Sequence, residues 1–369
     1  MKIVILGLSI TSSWGNGHAT TYRALVRGLA RRGHDVLFLE RNLSWYAENR
    51  DLPSPTYCRA ALYEDVGHLK SQFAGEIRSA DLVIVGSYVP QGMEVGDFVL
   101  RQASGVTAFY DIDTPVTLAR IEHGVDYLSA RQIAAYDLYL SFTGGPTLDV
   151  LAERYSARHP RPLYCSVDAG HYLPDPSRTP SFDLGYLGTY SDDRQPVLSR
   201  LMLDAAEGWP EGRFVVAGPQ YPAAIRWPSN VRRTMHLAPD LHRCFYTGLR
   251  YTLNVTRRDM VQAGYSPSVR LFEAAACATP IISDVWRGID QFFQPGAEIL
   301  LTTGAGDTLQ YLRDIPDDER IAIGSRARTR VLEAHTSAHR AAELESYVQE
   351  VTGVPARPAG EDELARTAS

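Results

Sequence analysis

Short apolar runs alternate with amphipathic stretches along most of this chain, which is the pattern of a parallel α/β sheet. Residues 2–7 predict a buried first strand, 19–32 predict a helix that ends at Gly33, and 35–40 predict a second strand. Further apolar runs predict buried strands over residues 81–86, 106–110 and 137–142. The first half of the chain therefore predicts one parallel sheet with helices between its strands.

The same alternation starts again after residues 173–182, which are rich in Pro and Ser. Such a composition is typical of a linker between domains. Beyond it, residues 316–352 have a helical pattern, and apolar runs predict strands over 183–187, 213–217, 230–235, 249–255 and 280–283. A chain of 369 residues is long enough for two full cores, so we predict an N-terminal domain over 1–172 and a C-terminal domain over 183–335.

The two ends of the sequence predict neither a signal peptide nor a membrane anchor. The apolar run in residues 1–7 is too short for a signal peptide, and no stretch approaches the length of a membrane-spanning helix. Residues 353–369 are rich in Pro, Gly and charged residues, which predicts a disordered tail. We expect a bacterial-type protein of the cytoplasm.

The charge of the chain limits the classes of ligand that it can bind. Acidic residues outnumber basic ones by 43 to 37, for a net charge of −6, and no basic block is visible, so we expect no nucleic-acid partner. Lys2 and Lys70 are the only lysines. A phosphate site must therefore use arginine, backbone N–H groups and hydroxyls. The four cysteines form no Cys-x-x-Cys pair, which argues against structural zinc and a disulfide framework.

The most informative segment spans residues 264–300 and has the composition of a ligand site at a helix N-terminus. Ser266, Ser268 and Arg270 lie where a loop enters a helix of small residues, and Glu273 follows one turn later. The first N–H groups of a helix lack intrahelical partners and attract anions, and arginine adds a forked contact to phosphate. Glu273 can accept hydrogen bonds from a ribose diol. An ordinary core helix is the alternative, but it has no need of this polar cluster.

This segment resembles the nucleotide-sugar half of GT-B glycosyltransferases, and its Ser-Pro-Ser-x-Arg-x-Phe-Glu-Ala-Ala-Ala-Cys run is similar to that of the CgeB-like, spore-maturation group. The resemblance extends to about residue 352. It implies two Rossmann-like domains that face each other across a cleft, with a crossover helix over 336–352 that returns to the N-terminal domain. It also implies a nucleotide-sugar donor as substrate, with UDP the commonest nucleotide, no tightly bound cofactor and no required metal.

The loop after the first predicted strand is expected to face the acceptor. Its small and polar residues follow a strand end, where α/β sheets bind ligands, but they do not form a dinucleotide-binding fingerprint. A neutral imidazole at His18 can take a proton from an acceptor hydroxyl, although His18 can equally cap the helix. The remaining acceptor-side candidates are Ser13, Trp14, Gly15, Asn16 and Gly17.

Asp111 and Asp113 follow the predicted strand 106–110 and are the other candidates for a catalytic base. Two carboxylates at this spacing can also hold a metal, but GT-B enzymes do not need one. A third interpretation is a turn in which one Asp caps the next helix, with Pro115 at its start. We expect a carboxylate at the cleft and no metal site.

Two loops of the C-terminal domain complete the predicted donor site. Gly188, Thr189 and Arg194 follow the strand 183–187, where glycine permits close approach of a phosphate. The resemblance places this loop beneath the donor diphosphate, whereas a simple exposed loop is the alternative. His236 follows the strand 230–235, in a loop that frames the nucleotide base in GT-B transferases.

One departure from the family pattern concerns the stereochemical outcome. Many retaining GT-B enzymes carry a Glu-x7-Glu motif in which the first Glu touches the donor sugar and the second the ribose. Glu273 matches the second, but Tyr265 stands at the position of the first. The choice between retention and inversion therefore stays open.

We expect a hexosyltransferase that moves a sugar from a nucleotide-diphosphate donor to a small-molecule, glycan or protein acceptor. Alternatives on the same fold are an isomerase of the nucleotide-sugar 2-epimerase type and a catalytically inactive nucleotide-sugar-binding protein. The isomerase would need more carboxylates and histidines around the sugar than the sequence provides.

Overall fold

Seven parallel strands form the first sheet of the chain, whose computed structural model describes residues 1–15 and 17–353. Their order across the sheet is β3-β2-β1-β4-β5-β6-β7, so the chain reverses its direction of travel between β1 and β4. The strands are β1 (Lys2–Gly7), β2 (Asp35–Arg41), β3 (Arg59–Tyr63), β4 (Leu82–Gly86), β5 (Val106–Asp111), β6 (Leu138–Ser141) and β7 (Pro160–Pro162).

Helices cover both faces of this sheet, which explains why its central strands are apolar throughout. In β1, Ile3 and Ile5 pack towards the first helix, whereas Val4 and Leu6 pack on the opposite side with Val99. The helices are α1 (His18–Arg31), α2 (Ser44–Ala47), α3 (Val66–Arg78), α4 (Gly92–Gln102), α5 (Thr114–Arg120), α6 (Ala130–Ala135) and α7 (Pro146–Glu153), with a 3-10 turn at Ile121–His123.

Six parallel strands form the second sheet in the order β10-β9-β8-β11-β12-β13, which repeats the winding of the first sheet. Its strands are β8 (Phe182–Leu187), β9 (Phe214–Ala217), β10 (Val231–Thr234), β11 (Leu249–Asn254), β12 (Ile281–Ser283) and β13 (Leu300–Leu301). Its helices are α8 (Gln195–Leu198), α9 (Asp204–Glu207), α10 (Pro239–Thr247), α11 (Arg258–Ala263), α12 (Val269–Ala276), α13 (Ala305–Asp314), α14 (Asp317–Ala334) and α15 (Ser337–Thr352), with a π turn at Ser199–Leu203 and a 3-10 turn at Ile289–Gln291.

The structure has a strand at every position that the apolar runs predict, with ends that differ by a residue or two. The strands that the pattern missed are β3, β7 and β13. They lie at sheet edges: β3 and β7 are only partly buried, β7 consists largely of proline, and β13 has two residues. The two predicted domain boundaries stay a prediction.

The last helix, α15, packs on α1 and so returns the chain to the first sheet. Gly28 of α1 allows this close approach, because a side chain there would collide with the backbone carbonyl of Ser337. At the edge of the contact the guanidinium of Arg32 donates two hydrogen bonds to the carboxylate of Glu345, at 2.6 and 2.7 Å. The predicted crossover helix is thus present. Of the predicted disordered tail, residues 354–369 lie outside the described residues.

The winding of the sheets determines where a ligand can bind. In open parallel sheets the loops at the carboxyl ends of the strands diverge where the strand order reverses, and this opens a crevice. The reversals lie between β1 and β4 in the first sheet and between β8 and β11 in the second. Loops from both places line one cavity between the sheets.

Candidate active site

The cavity between the two sheets has a volume of about 600 Å³. From the first sheet it is lined by the loop after β1, the start of α1 and the residues after β4 and β5. From the second sheet it is lined by the loops after β8, β9 and β11 and by the start of α12. Several predicted site residues line it together: Ser13, Gly15, Gly17, His18, Asp113, Gly188, Thr189, Arg194, His236, Ser268, Arg270 and Glu273.

The N-terminus of α12 is open towards a ligand. Ser268 occupies the N-cap position, but its side chain makes no capping bond. Its hydroxyl donates instead to Oδ1 of Asn254, at 2.7 Å. The amide of Leu271 donates to the carbonyl of Ser268 at 3.1 Å, whereas the Ser268 side chain leaves the amides of Val269 and Arg270 for a bound group, and the helix dipole favours an anion there.

Arg270 is fixed beside this helix start and is only 7% exposed. Its Nε donates to the carbonyl of Leu187 at 2.6 Å, and its Nη1 donates to Oδ1 of Asn254 at 2.9 Å. The guanidinium also lies over the ring of Tyr186, 4.8 Å from the centroid. Both hydrogen-bond acceptors are neutral oxygens, so these bonds orient the cation and leave its charge for a ligand.

The loop after β8 approaches Arg270 through Gly188. The amide of Gly188 donates to the carbonyl of Ala217 at 2.9 Å, and a side chain at Gly188 would meet Nη2 of Arg270 at 2.9 Å. Arg194 stabilises the same loop, because its Nη2 donates to the carbonyl of Thr189 at 2.8 Å. The loop thus brings bare backbone next to a cation.

Glu273 lies at the floor of the cavity and is 3% exposed. The hydroxyl of Tyr172 donates to its Oε1 at 2.9 Å, and the hydroxyl of Tyr246 donates to its Oε2 at 3.0 Å. Burial acts to raise the pKa of Glu273, but the contacts with His242 and the two tyrosines outweigh it and hold the pKa below the ordinary value. The carboxylate is therefore ionised and held in one orientation.

His18 is the first residue of α1 and lines the cavity from the other side. Its ring meets the ring of Tyr88 edge-on, with centroids 5.2 Å apart. Its Nδ1 is buried and has no hydrogen-bond partner among the described residues. Burial lowers the pKa of His18, and nearby Asp113 offsets part of this effect. A neutral imidazole is thus available at the cavity to accept a proton.

Asp113 faces the cavity just before α5. It stands at the N-cap position, but its side chain makes no capping bond. Its Oδ2 accepts a hydrogen bond from the hydroxyl of Tyr88 at 3.2 Å and lies 3.5 Å from Nη1 of Arg257. The capping interpretation is therefore wrong for the side chain, and the carboxylate contacts groups from both sheets.

Asp111 lies beneath the cavity and does not line it. Its Oδ2 accepts from the hydroxyl of Tyr139 at 2.6 Å, and its Oδ1 accepts from the hydroxyl of Thr117 at 2.9 Å. Burial raises its pKa to about 6 against these hydrogen bonds. Because the amide of Asp113 also donates to Oδ1 at 3.2 Å, Asp111 holds the turn that carries Asp113. Of the two carboxylates predicted as alternative bases, Asp113 thus lines the cavity and Asp111 supports its loop from below.

The acceptor-side loop is anchored through Asp51. The amide and the hydroxyl of Ser13 both donate to this carboxylate at 2.9 Å, and Arg23 donates two hydrogen bonds to it at 2.8 and 2.9 Å. Burial opposes ionisation, but these partners lower the pKa of Asp51 to about 2. The indole of Trp14 is 43% exposed, and Asn16 lies outside the described residues.

Ser266 was predicted to contact the donor, but the structure places its side chain away from the cavity. Its side chain is 1% exposed and does not line the cavity. Its hydroxyl accepts a hydrogen bond at 2.8 Å from the hydroxyl of Thr143, which follows β6 of the first sheet. Ser266 therefore joins the two halves of the molecule, a role that no local pattern in the sequence indicates.

Three residues that shape the cavity were not predicted from the sequence. Tyr88 follows β4, and Asn254 ends β11, so both could have been found as polar residues at the carboxyl ends of predicted strands. Tyr172 lies in a loop 101 positions from the carboxylate that it binds, and nothing in the sequence indicates that pairing.

Neither a metal cluster nor a membrane span is found within residues 1–15 and 17–353. No group of three or more His, Cys, Asp and Glu side chains there is arranged to hold a metal ion. No helix in that part of the chain is long and apolar enough to cross a bilayer.

Comparison with known families finds one match. Residues 194–346 match the family described as glycosyl transferase-like. The matched range includes Arg194, His236 and the segment from Ser266 to Glu273. Comparison with curated proteins finds no match.

Several solved structures superpose on almost the whole chain. Sucrose-phosphate synthase from Thermosynechococcus elongatus aligns with a TM-score of 0.70 at 14% identity, over 96% of this chain and 100% of that one. Anabaena HepE in complex with UDP and glucose aligns with a TM-score of 0.67 at 14% identity, over 95% and 100%. An alpha-glucosyltransferase in complex with UDP aligns with a TM-score of 0.70 at 11% identity, over 95% and 100%.

These superpositions establish the architecture of the chain. Two parallel sheets of like winding face one cavity, and the last helix packs on the first. The chain therefore has the GT-B fold, and residues 194–346 of it match the glycosyl transferase-like family.

Proposed function

We propose that this protein is a glycosyltransferase that moves a sugar from a nucleoside-diphosphate donor to an acceptor hydroxyl or amine. The observation that carries the proposal is a single cavity with two chemically different walls. One wall has an open helix N-terminus beside Arg270, and the other has His18 and Asp113. The glycosyl transferase-like match and the UDP in two similar structures support it.

The donor is proposed to lie against the second sheet. Its diphosphate meets the amides at the start of α12 and the guanidinium of Arg270, in the space that the missing side chain of Gly188 leaves open. The carboxylate of Glu273 accepts hydrogen bonds from the ribose hydroxyls, and the loop of His236 lies beside the base. UDP is the proposed nucleotide, since it is the one that the two similar structures contain.

The reaction then needs a proton acceptor and a stabilised leaving group. The acceptor oxygen forms a bond to the anomeric carbon and gives its proton to His18, while the bond from that carbon to the diphosphate oxygen breaks. The negative charge that develops on the diphosphate is stabilised by Arg270 and the helix N-terminus, which are already oriented. Asp113 assists by favouring the protonated imidazole.

The finer parts of the proposal come from the sequence resemblance. We propose a CgeB-like hexosyltransferase of the bacterial cytoplasm. Arginine and helix-terminus amides would stabilise the leaving group, and a metal would not be required. Adding EDTA to an assay of glycosylated product tests whether a metal is required. Loss of turnover that returns with Mg²⁺ would contradict the proposal that no metal is required.

A binding screen followed by product analysis tests the function. The purified protein is titrated calorimetrically with UDP, GDP, ADP, dTDP and CDP, and its thermal stability is measured with each, because a ligand that binds only the folded state raises the apparent stability. We expect one nucleotide to bind and Arg270→Ala to reduce that binding. No binding of any nucleotide would contradict the proposal.

Product analysis separates the proposed function from the two alternatives. The nucleotide sugar that binds is incubated with and without a pool of acceptors. Release of nucleoside diphosphate together with a glycosylated product supports the transferase. A change of the nucleotide sugar without any acceptor would instead show an isomerase. Binding without turnover against a broad acceptor pool would indicate an inactive binding protein.

A further inference from the structure

Arg257 spans the cleft between the two halves of the molecule. It follows β11, immediately before α11, and it lines the cavity. Its Nη1 lies 3.5 Å from Oδ2 of Asp113, which belongs to the loop after β5 of the first sheet. The carboxylate at the acceptor side is thus paired with a cation from the donor side.

The contacts of Arg257 leave its guanidinium poorly satisfied. Its ion pair with Asp113 is longer than the 2.7–2.9 Å that is usual for a charge-assisted hydrogen bond. Its Nε lies 3.9 Å from Oδ2 of Asp193, and this Nε is buried without a hydrogen-bond partner among the described residues. Asp193 is itself engaged, since it accepts from the amide of Arg258 at 3.0 Å. Buried polar groups are nearly always paired, so an unpaired donor at a cavity points to a ligand.

Charge and geometry identify the kind of ligand. Gly188, Thr189, Ser268 and Arg270 line the same cavity as Arg257, and together they offer backbone amides, hydroxyls and cations. A phosphate group presents several charged oxygens and suits the fork of a guanidinium better than a single distant carboxylate. We propose that Arg257 binds the donor diphosphate. While the cleft is empty, the carboxylate of Asp113 contacts the Arg257 guanidinium in place of a phosphate oxygen. This inference rests on the proposed function.

The exchange of partners gives Arg257 a second effect. When the diphosphate binds the guanidinium, the carboxylate of Asp113 loses its cation and, among residues 1–15 and 17–353, keeps only the hydrogen bond from Tyr88. Its negative charge then acts on His18 without compensation and favours a protonated imidazole. Donor binding would therefore prepare the acceptor side, and we expect the donor to bind before the acceptor.

A purely structural role for Arg257 makes a different prediction. Helix α11 packs on α5, so the ion pair could serve only to hold the two halves together. In that case, removing the guanidinium would lower the stability of the protein, or weaken all ligands alike. A diphosphate-binding role requires instead that the loss depends on the phosphates of the ligand.

The first experiment compares Arg257→Ala with Arg258→Ala. The neighbouring Arg258 is exposed and does not line the cavity, so it is a matched control for charge and position. Binding of the nucleoside, its monophosphate and its diphosphate is measured calorimetrically for the nucleotide that the wild type prefers. We expect Arg257→Ala to lower the affinity for the diphosphate by about tenfold or more and to leave the affinity for the nucleoside unchanged. Equal weakening of all three ligands, or no weakening, would overturn the proposal.

The second experiment tests the competition with Asp113. Asp113→Asn removes the charge that occupies the guanidinium, so it should tighten diphosphate binding in the wild-type background. The same substitution should have little effect in Arg257→Ala, and the double-mutant cycle isolates this coupling. If Asp113→Asn tightens diphosphate binding equally in the wild type and in Arg257→Ala, the proposed exchange of Asp113 for a phosphate on Arg257 is wrong. If the wild type binds no nucleoside diphosphate, the proposed function fails first. If it binds one and Arg257→Ala binds it equally well, only this inference fails.

Discussion

The contact proposed between Glu273 and a ribose diol leads to a test in which the ligand loses one hydroxyl oxygen and the carboxylate exchanges one oxygen for an amide nitrogen. The carboxylate has about four acceptor positions on its two oxygens. Tyr172 occupies one position on Oε1, and Tyr246 occupies one on Oε2. Nδ1 of His242 lies 3.7 Å from Oε2, beyond hydrogen-bond distance, so within the part of the chain that the structure describes one position on each oxygen is left, and the side chain lines the cavity. This arrangement matches two neighbouring hydroxyls.

The size of the effect follows from the charge of the acceptor. A hydrogen bond to a charged group contributes about 1.5–3 kcal/mol, and about 1.4 kcal/mol corresponds to a tenfold change in affinity. A 2′-deoxynucleoside diphosphate should therefore bind the wild type roughly 10- to 150-fold more weakly than the ribonucleotide. In Glu273→Gln the shape is kept and the charge is lost, so this difference should shrink to a few-fold.

Calorimetric titration of wild type and Glu273→Gln with both nucleotides measures the difference directly. The amide of Gln can accept from one tyrosine and donate to the hydroxyl oxygen of the other, so we expect the variant to fold. Its circular dichroism and melting temperature check this point. Glu319→Gln, on the exposed face of α14, is the control. An unchanged preference for the ribonucleotide in Glu273→Gln would refute the contact with the ribose.

Further substitutions test the donor site, the base and the crossover helix. Arg270→Ala should weaken nucleoside-diphosphate binding by about 2–3 kcal/mol in calorimetry, because a charge-assisted contact is lost. His18→Ala should leave that affinity unchanged and depress kcat. Because burial lowers the pKa of His18, the wild-type rate should fall only below about pH 6.5, and Asp113→Asn should move this acid limb to still lower pH. Gly28→Ala should destabilise the fold by about 1–3 kcal/mol in urea denaturation, because its methyl group meets the backbone of Ser337. Gly75→Ala, whose methyl group meets nothing, should not.

The overall fold could be predicted from the sequence because buried parallel strands are apolar along their whole length. Both faces of β1 are covered, so Ile3–Leu6 form an uninterrupted run that no amphipathic helix would show. The edge strands β3 and β7 escaped for the same reason. They lie at the edges of the sheet and are only partly buried, and Pro160 and Pro162 mark β7 as irregular.

The candidate site could be predicted where it depends on one continuous segment. Ser268, Arg270 and Glu273 lie on a single helix start, so their spacing alone brings them to one place. Contacts between distant segments left no such signal. Asp113 and Arg257 are far apart in the chain, and only the facing of two sheets brings them within 3.5 Å.

Tyr265 shows why a departure from a family pattern need not mean lost function. It stands where a sugar-binding Glu was expected, but its ring lies between Gly145 of the first half and Gly288 of the second, where added side chains would meet it at 2.4 and 2.3 Å. Its carbonyl accepts a hydrogen bond from the amide of Gly144 at 3.0 Å, and it holds φ at +49°. This backbone conformation is costly for a bulky residue, so the surrounding contacts must support it. The position joins the two halves of the cleft, and the missing Glu is therefore not evidence against catalysis by the groups that do line the cavity.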